Sequence, residues 1–328
     1  MILTVNYHYF RDPENSEFPG IHGVNQKRFN DQIKFLRKNF KFLDLNNIVE
    51  SINSSEIFCL ITFDDGLKEQ FVKALPILKQ YNASAIFNVN GYYIKNKKVS
   101  LVHKIHWLRS LTPEIVFIND LNRKMIEMNI EHDLKIEDFA PKEAQNIYDS
   151  PEIKYIKFLL NHYLSDQKKK ILINSMYNEK CDDESFHSES LYMSEEMLKE
   201  LSSHNFLGSH GWTHTPKTSL KDKDLFNDFM KNQNYLKKLT GKFTDFVSYP
   251  YGGRTAVSRK TASIAEHANH KYGFTIERAI SSKIDSKLLL PRFDANDIPH
   301  GKNPLLKFEK NRVLSINNES IASRWFSS

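Results

Sequence analysis

Four short stretches of this chain hold residues whose types and spacing suit catalysis. In the first, the apolar run Phe58–Phe63 leads directly into Asp64, Asp65 and Gly66. Adjacent carboxylates repel, so a positive group, most cheaply a metal ion, should lie close by. Consecutive strand residues face opposite ways, so two neighbouring acids serve separate roles at one site only where the strand ends. Gly66 permits that ending. The second stretch, Gly208–Pro216, carries His210 and His214 four residues apart, after a predicted strand and before a helix. Neutral imidazoles with a carboxylate are a standard catalytic zinc set that leaves one position open for water. Two histidines at this spacing reach one ion if the loop makes a helical turn; alone they read as two loop or surface histidines, and the pair gains weight because this loop and Asp64-Asp65 both end apolar strands of one sheet. The third, Phe246–Gly253, sets Tyr249, Pro250, Tyr251 and Gly252 at a strand exit. They form either a rigid rim with exposed backbone or an ordinary turn. The fourth, Pro291–Asp297, ends a strand in Arg292, Asp294 and Asp297, which suits a structural salt bridge as well as a site.

His8 closes the first predicted strand. A lone histidine there is commonly a core group, but in a barrel that strand ends on the same face as Asp64. The pairs His103/His106 and His267/His270 follow no strand and have no adjacent acids, so they read as helix-surface or packing residues.

The elements that must position these groups alternate. Strands are predicted at 2–9, 57–63, 85–89, 205–209, 245–249, 272–276 and 288–293. Between them lie amphipathic helices at 26–40, at 67–81 with a kink at Pro76, from the Ser194 cap onward, at 218–240 up to Gly241, and at 255–268. Short apolar strands alternating with helices imply a parallel sheet, open or closed into a barrel. Between about 95 and 190 strand-like runs give way to charged, helix-forming stretches. We read residues 96–189 as a helical insertion, with a separate domain as the alternative. Residues 1–95 and 190–300 then form the barrel and 301–328 a polar tail.

The chain has 328 residues, 40% hydrophobic and 26% charged, as expected of a folded globular protein. Net charge is +6, yet the lysines are dispersed and no basic run is interleaved with aromatics, which points away from nucleic acid. The mild positive balance suits acidic substrates. Cys59 and Cys181 lie far apart and read as free thiols in a reducing compartment. The first residues read as a strand rather than a leader, and no apolar run is long enough for an integral membrane segment, so a cytoplasmic location is expected.

With these pieces in order, the sequence resembles the polysaccharide deacetylases, the NodB-homology or family 4 carbohydrate esterases. Thr62-Phe63-Asp64-Asp65-Gly66 matches the family's first motif. Ser209-His210-Gly211-Trp212-Thr213-His214 resembles the second, and Ser248-Tyr249-Pro250-Tyr251-Gly252 the third. The resemblance spans roughly residues 1–95 and 190–298. It implies an α/β fold, a deformed (β/α)7 barrel, with a divalent metal, most commonly Zn2+, held by Asp65, His210 and His214. Asp64 becomes the general base, the backbone N–H of Tyr251 supports the oxyanion, and Tyr249, Pro250, Tyr251 and Gly252 line the substrate groove. The implied reaction is hydrolysis of an N-acetyl group on an amino sugar or glycan precursor. The chain departs from the pattern at three places. Ser248 stands where the third motif carries an arginine, no late Leu-x-His is evident, and Ile298 replaces a fourth-motif tryptophan after Asp294 and Asp297. Arg292 is the candidate to supply the charge and His8 the general acid. Deformylation of a lipid-linked amino sugar, or an idle relative that only binds glycan, are the alternative functions.

Overall fold

A computed structural model describes residues 1–12, 23–139, 150–283, 285–309 and 312–316. The chain divides into two compact units, one holding Met1–Asp12, Gly23–Lys98 and Ser188 onward, the other Val99–His187. In chain order the first unit begins with β1 (Ile2–Tyr7), α1 (Gln26–Asn39), β2 (Lys41–Phe42), α2 (Ile48–Asn53) and β3 (Phe58–Phe63). A π-helical turn (Gln70–Ala74) then leads into α3 (Leu75–Tyr81), followed by β4 (Ala85–Val89) and α4 (Gly91–Asn96). The predicted kink at Pro76 proves to be this change of helical pitch. Pro76, which has no N–H to give, stands in the first turn of α3 directly after the π-helical turn.

The second unit is helical: α5 (Leu101–Arg109), α6 (Glu114–Glu127), α7 (Pro151–Phe158), α8 (Asp166–Asn178) and the start of α9 (Glu184–Leu191). It has its own core, including Leu108, Phe117, Leu121, Met125, Tyr155, Leu172, Ile173 and Met176. Residues 140–149 of the predicted insertion lie outside the described residues.

The first unit then resumes with α10 (Glu195–Ser203), β5 (Leu207–Ser209), α11 (Asp222–Thr240), β6 (Phe246–Ser248), α12 (Arg259–His267), β7 (Tyr272–Phe274) and β8 (Phe293–Asp294). Ser194 caps α10 as predicted, with Glu195 and Glu196 in the first turn, and Gly241 ends α11 at φ +82°. The two ends of the excursion into the helical unit meet, because Ser188 Oγ donates to the carbonyl of Lys98 at 3.1 Å.

These strands form one curled parallel sheet in the order β7-β6-β5-β4-β3-β1-β8, with β2 beside β3. The architecture is that of a deformed barrel. Both faces of the sheet are covered, which is why its strands read as nearly continuous apolar runs. Period-2 alternation divides their side chains. Leu3, Val5, Tyr7, Cys59, Ile61, Phe63, Ala85, Phe87 and Val89 pack under α1, α3 and α10. The residues between them face inward. Ile2, Leu60, Ile86, Phe246 and Phe274 plug the N-terminal end of the barrel. Further along the same strands that inner face becomes polar: Asn6, Asp64, Asn88 and Ser248, all buried.

One strand differs from expectation. Residues 288–293 do not form it; the strand is Phe293–Asp294, beside β1, while Leu290 makes only a bridge to Phe274. Pro291 brings no N–H to a ladder, and the chain crosses from the β7 side to the β1 side there. Within the predicted tail, an antiparallel pair, β9 (Leu306–Glu309) and β10 (Arg312–Ile316), follows; residues 317–328 lie outside the described residues. Cys59 and Cys181 are free. Among the described residues, no helix is long and apolar enough to cross a membrane.

Candidate active site

Asp64 follows directly on β3 with its carboxylate almost wholly enclosed. Arg292 reaches it from the residue before β8, giving Nη1 to Oδ1 at 3.0 Å and Nη2 to Oδ2 at 2.8 Å. Ser248 Oγ (2.7 Å) and Asn88 Nδ2 (3.1 Å) also donate to Oδ1, and Asn6 Nδ2 (3.2 Å) to Oδ2. Burial pushes this carboxyl's pKa up, but the Arg292 guanidinium outweighs it and holds the group well below the usual carboxylate range. Arg292 is itself fully buried, fixed by the carbonyl of Thr275 and by Asn6 and Thr62.

Asp65 adopts φ +77°, an uncommon left-handed conformation for a residue other than glycine, and Gly66 follows at +66°. This break in alternation lets two adjacent acids serve one mouth. His210 Nε2 lies 3.5 Å and His214 Nε2 3.3 Å from Asp65 Oδ1, and the three ligand atoms fall within 4.8 Å of one another. His210 Nδ1 lies 2.9 Å from the carbonyl of Ser248, which only accepts, so Nδ1 carries the proton and Nε2 a lone pair. Burial holds that ring neutral, its pKa pushed down to about 4. A lone pair facing a carboxylate at 3.5 Å is repulsive unless a cation lies between them, and Asp, His, His is a donor set that a divalent metal accepts. The residues fit the group.

The loop bearing the histidines is built from below. Asp228 on α11 accepts from the N–H groups of Trp212 and Thr213, from Thr213 Oγ1 and from the buried Lys217 Nζ. Asn90 Nδ2 donates to the carbonyls of His210 and Gly211, and Tyr93 Oη accepts from His214 N–H at 3.4 Å.

A cavity of about 420 Å³ opens above these groups, lined by Asn6, His8, Asp64, His210, His214, Tyr249, Tyr251, Ile276, Arg278, Arg292, Phe293 and Asp294. His8 stands just beyond β1, 44% exposed, with Nε2 4.0 Å from Asp64 Oδ2. Tyr251, at φ +64° and half exposed, sets its ring edge-on to His214 at 4.8 Å. Tyr249 borders the cavity, yet its hydroxyl is bound to the carbonyl of Leu288. Asp294 is at the rim, its Oδ1 accepting from the Asn296 backbone and side-chain amides. Pro250 and Gly252 are not among the lining residues; Gly252, at φ +55°, packs against Ile276. Sequence reasoning missed Asn6, Asn88, Asp228, Ile276 and Arg278. Only the buried asparagines left a signal, since amides inside otherwise apolar strands need a reason.

The family model for polysaccharide deacetylase matches residues 52–273, about two thirds of the chain. The chain belongs to the polysaccharide deacetylase family. The protein is therefore a hydrolase acting on carbon–nitrogen bonds other than peptide bonds. Among solved structures, this deacetylase is similar to the Streptococcus pyogenes deacetylase PplD, solved in complex with acetate, at 16% identity and a TM-score of 0.52; the match covers 89% of this chain and 90% of that one. It is equally similar to IcaB from Ammonifex degensii, at 15% identity, TM-score 0.52 and the same coverage. At these identities the likeness bears on the fold. No curated protein sequence matches the chain.

Proposed function

We propose that this deacetylase removes the acetyl group from the amine of an amino sugar in a polysaccharide or surface-glycan precursor, using a divalent metal, zinc before others. The observation that carries the reading is the convergence of Asp65, His210 and His214 beside a second, separately held carboxylate, Asp64. A cation held by the three supplies Lewis acidity to the amide carbonyl and to a water.

Asp64 takes the proton of the attacking water. Its Oδ2 is the less encumbered oxygen, with two donors against three on Oδ1. The contacts that keep Asp64 ionised also weaken it as a base, so it suits only a water already made acidic. Arg292 orients the carboxylate, the task for which the sequence offered no arginine at position 248. The backbone N–H of Tyr251 supports the oxyanion, and His8 returns a proton to the departing amine. Tyr251 and Asp294 contact the sugar from the rim. The missing arginine at 248 and the missing late histidine prompt the idle-relative reading; the Arg292 guanidinium seated on Asp64 answers the first of these.

The test is zinc stoichiometry of the purified protein together with acetate and formate release from N-acetylated and N-formylated amino-sugar oligomers. Asp65→Asn should lose metal and activity together, whereas Asp64→Asn should lose activity and still bind zinc stoichiometrically. A protein that binds neither zinc nor cobalt stoichiometrically and frees no acetate with either present would sink the reading, and formate alone would reassign the acyl group.

A further inference from the structure

The geometry points to Ser248 as a positioning residue that ties the proton-accepting carboxylate to a metal ligand; the inference rests on reading Asp65, His210 and His214 as metal ligands. Ser248 ends β6 and is fully buried on the inner face of the sheet. Its Oγ lies 2.7 Å from Asp64 Oδ1 and 2.6 Å from His210 Nδ1. An ionised carboxylate only accepts, so the hydroxyl proton goes to Asp64. Oγ must then accept from His210 Nδ1–H, which it shares with the carbonyl of the same serine at 2.9 Å. Only one placement of hydrogens satisfies all three contacts, and it runs in one direction: imidazole to serine to carboxylate.

That direction has a chemical consequence. With Nδ1 committed to the serine, the bare nitrogen of His210 is Nε2, the one facing Asp65 Oδ1. A donor bond from the far nitrogen of a ligating histidine fixes its orientation and raises its basicity toward the metal. Asp64, at the end of the chain, thereby polarises the ligand through one hydroxyl. Two tasks are divided between two residues: Arg292, just before β8, supplies charge to Asp64, and Ser248 on β6 links Asp64 to His210. Neither Arg292 nor the Asp64 carboxylate contacts His210 in this way, so the link passes through the Ser248 side chain.

The experiment uses the full-length protein, with Ser248→Ala and Ser248→Thr compared to wild type. Zinc affinity is read by competition with a chromophoric chelator, and turnover by acetate release. Removing the hydroxyl should weaken zinc binding about tenfold or more and lower kcat more than it changes KM. Threonine, which restores a hydroxyl, should stay within about threefold of wild type on both measures. Zinc affinity of Ser248→Ala within about twofold of wild type, or equal damage in the two variants, would overturn the inference while leaving the metal reading intact. Absence of zinc binding by wild type would overturn both. Should Ser248→Ala not fold, ¹⁵N shifts of His210 in the zinc-free wild type at neutral pH decide instead. A proton on Nδ1 whose ¹⁵N shift moves in Asp64→Asn supports the link; a proton on Nε2, or an Nδ1 shift that ignores Asp64→Asn, overturns it, because the Ser248 carbonyl alone also holds a proton on Nδ1.

Discussion

At Asp64, five donated hydrogen bonds converge on one carboxylate, and two of them come from a single guanidinium that is itself 1% exposed. Removing one member of such a buried pair leaves the other charge uncompensated, which typically costs about 3–5 kcal/mol. Arg292→Met should therefore lower unfolding stability by about that much in urea titrations, as well as abolish turnover. Adding Asp64→Asn to that variant should recover most of the stability and none of the activity, because the isolated charge is gone. His8→Ala should lower turnover ~10²-fold or more and leave zinc binding intact, the signature of a lost acid. Smaller losses, under about tenfold, would remove His8 from the role. The sequence disclosed what was local. Asp64 beside Asp65, and His210 four residues before His214, are legible because their chemistry lies in adjacent letters. Arg292 sits 228 residues from the acid it grips, and Asn88 reaches that acid from another strand, so no spacing announced either. Ser248 was visible only as a missing arginine, although its hydroxyl bridges two site residues.

The element that controls the histidines is the loop 210–217 with the helix beneath it. Gly211 holds φ +76°, and a Cβ there would lie 2.6 Å from Asp228 Oδ2 and press on Lys217. Gly211→Ala combines left-handed strain of about 1–2 kcal/mol with displacement of the acid that anchors Trp212 and Thr213. The expected result is a stability loss of at least about 1 kcal/mol and zinc affinity reduced ~10-fold or more. Unchanged affinity would show that the loop tolerates movement below the ligands. Element boundaries were read from the sequence better in the middle than at the ends. The apolar runs of β1, β3 and β4 stand out because both faces of the sheet are covered. The segment 288–293 misled because Leu288, Leu289 and Leu290 form an apolar run that packs as a strand would, while pairing as a single bridge. Asp228 gave no sign at all, since an acid on a charged helix looks like any solvated residue until the loop above it is drawn.

Across the molecule, one pH-dependent contribution to stability lies at the end of the barrel away from the site. His270 lies just before β7, at the N-terminal end of the strands, against Phe229 and within 3.2 Å of Gln233 Nε2. Burial pushes its pKa down to about 3 from 6.5. Below about pH 6.5 the unfolded chain therefore takes up a proton that the folded chain refuses. The stability present at neutral pH is lost as pH falls from 6.5 toward 3, by up to about 1.4 kcal/mol per unit from this residue. Urea unfolding at pH 7, 6 and 5 should show the slope, and His270→Gln should reduce it by one proton's worth without moving kcat at pH 7. Ser188 and Lys98 bear on a different question. A hydroxyl on the returning chain is bonded to the carbonyl where the chain departed, so the 89 residues from Val99 to His187 begin and end at one doorway. Such a gap can be bridged by a linker of a few residues. The helical segment is thus a cassette in the sense of protein engineering. Its excision or exchange at that doorway should leave the sheet unit folded, as circular dichroism and urea unfolding would check, because the loop-closure penalty grows only slowly with the length of what is inserted.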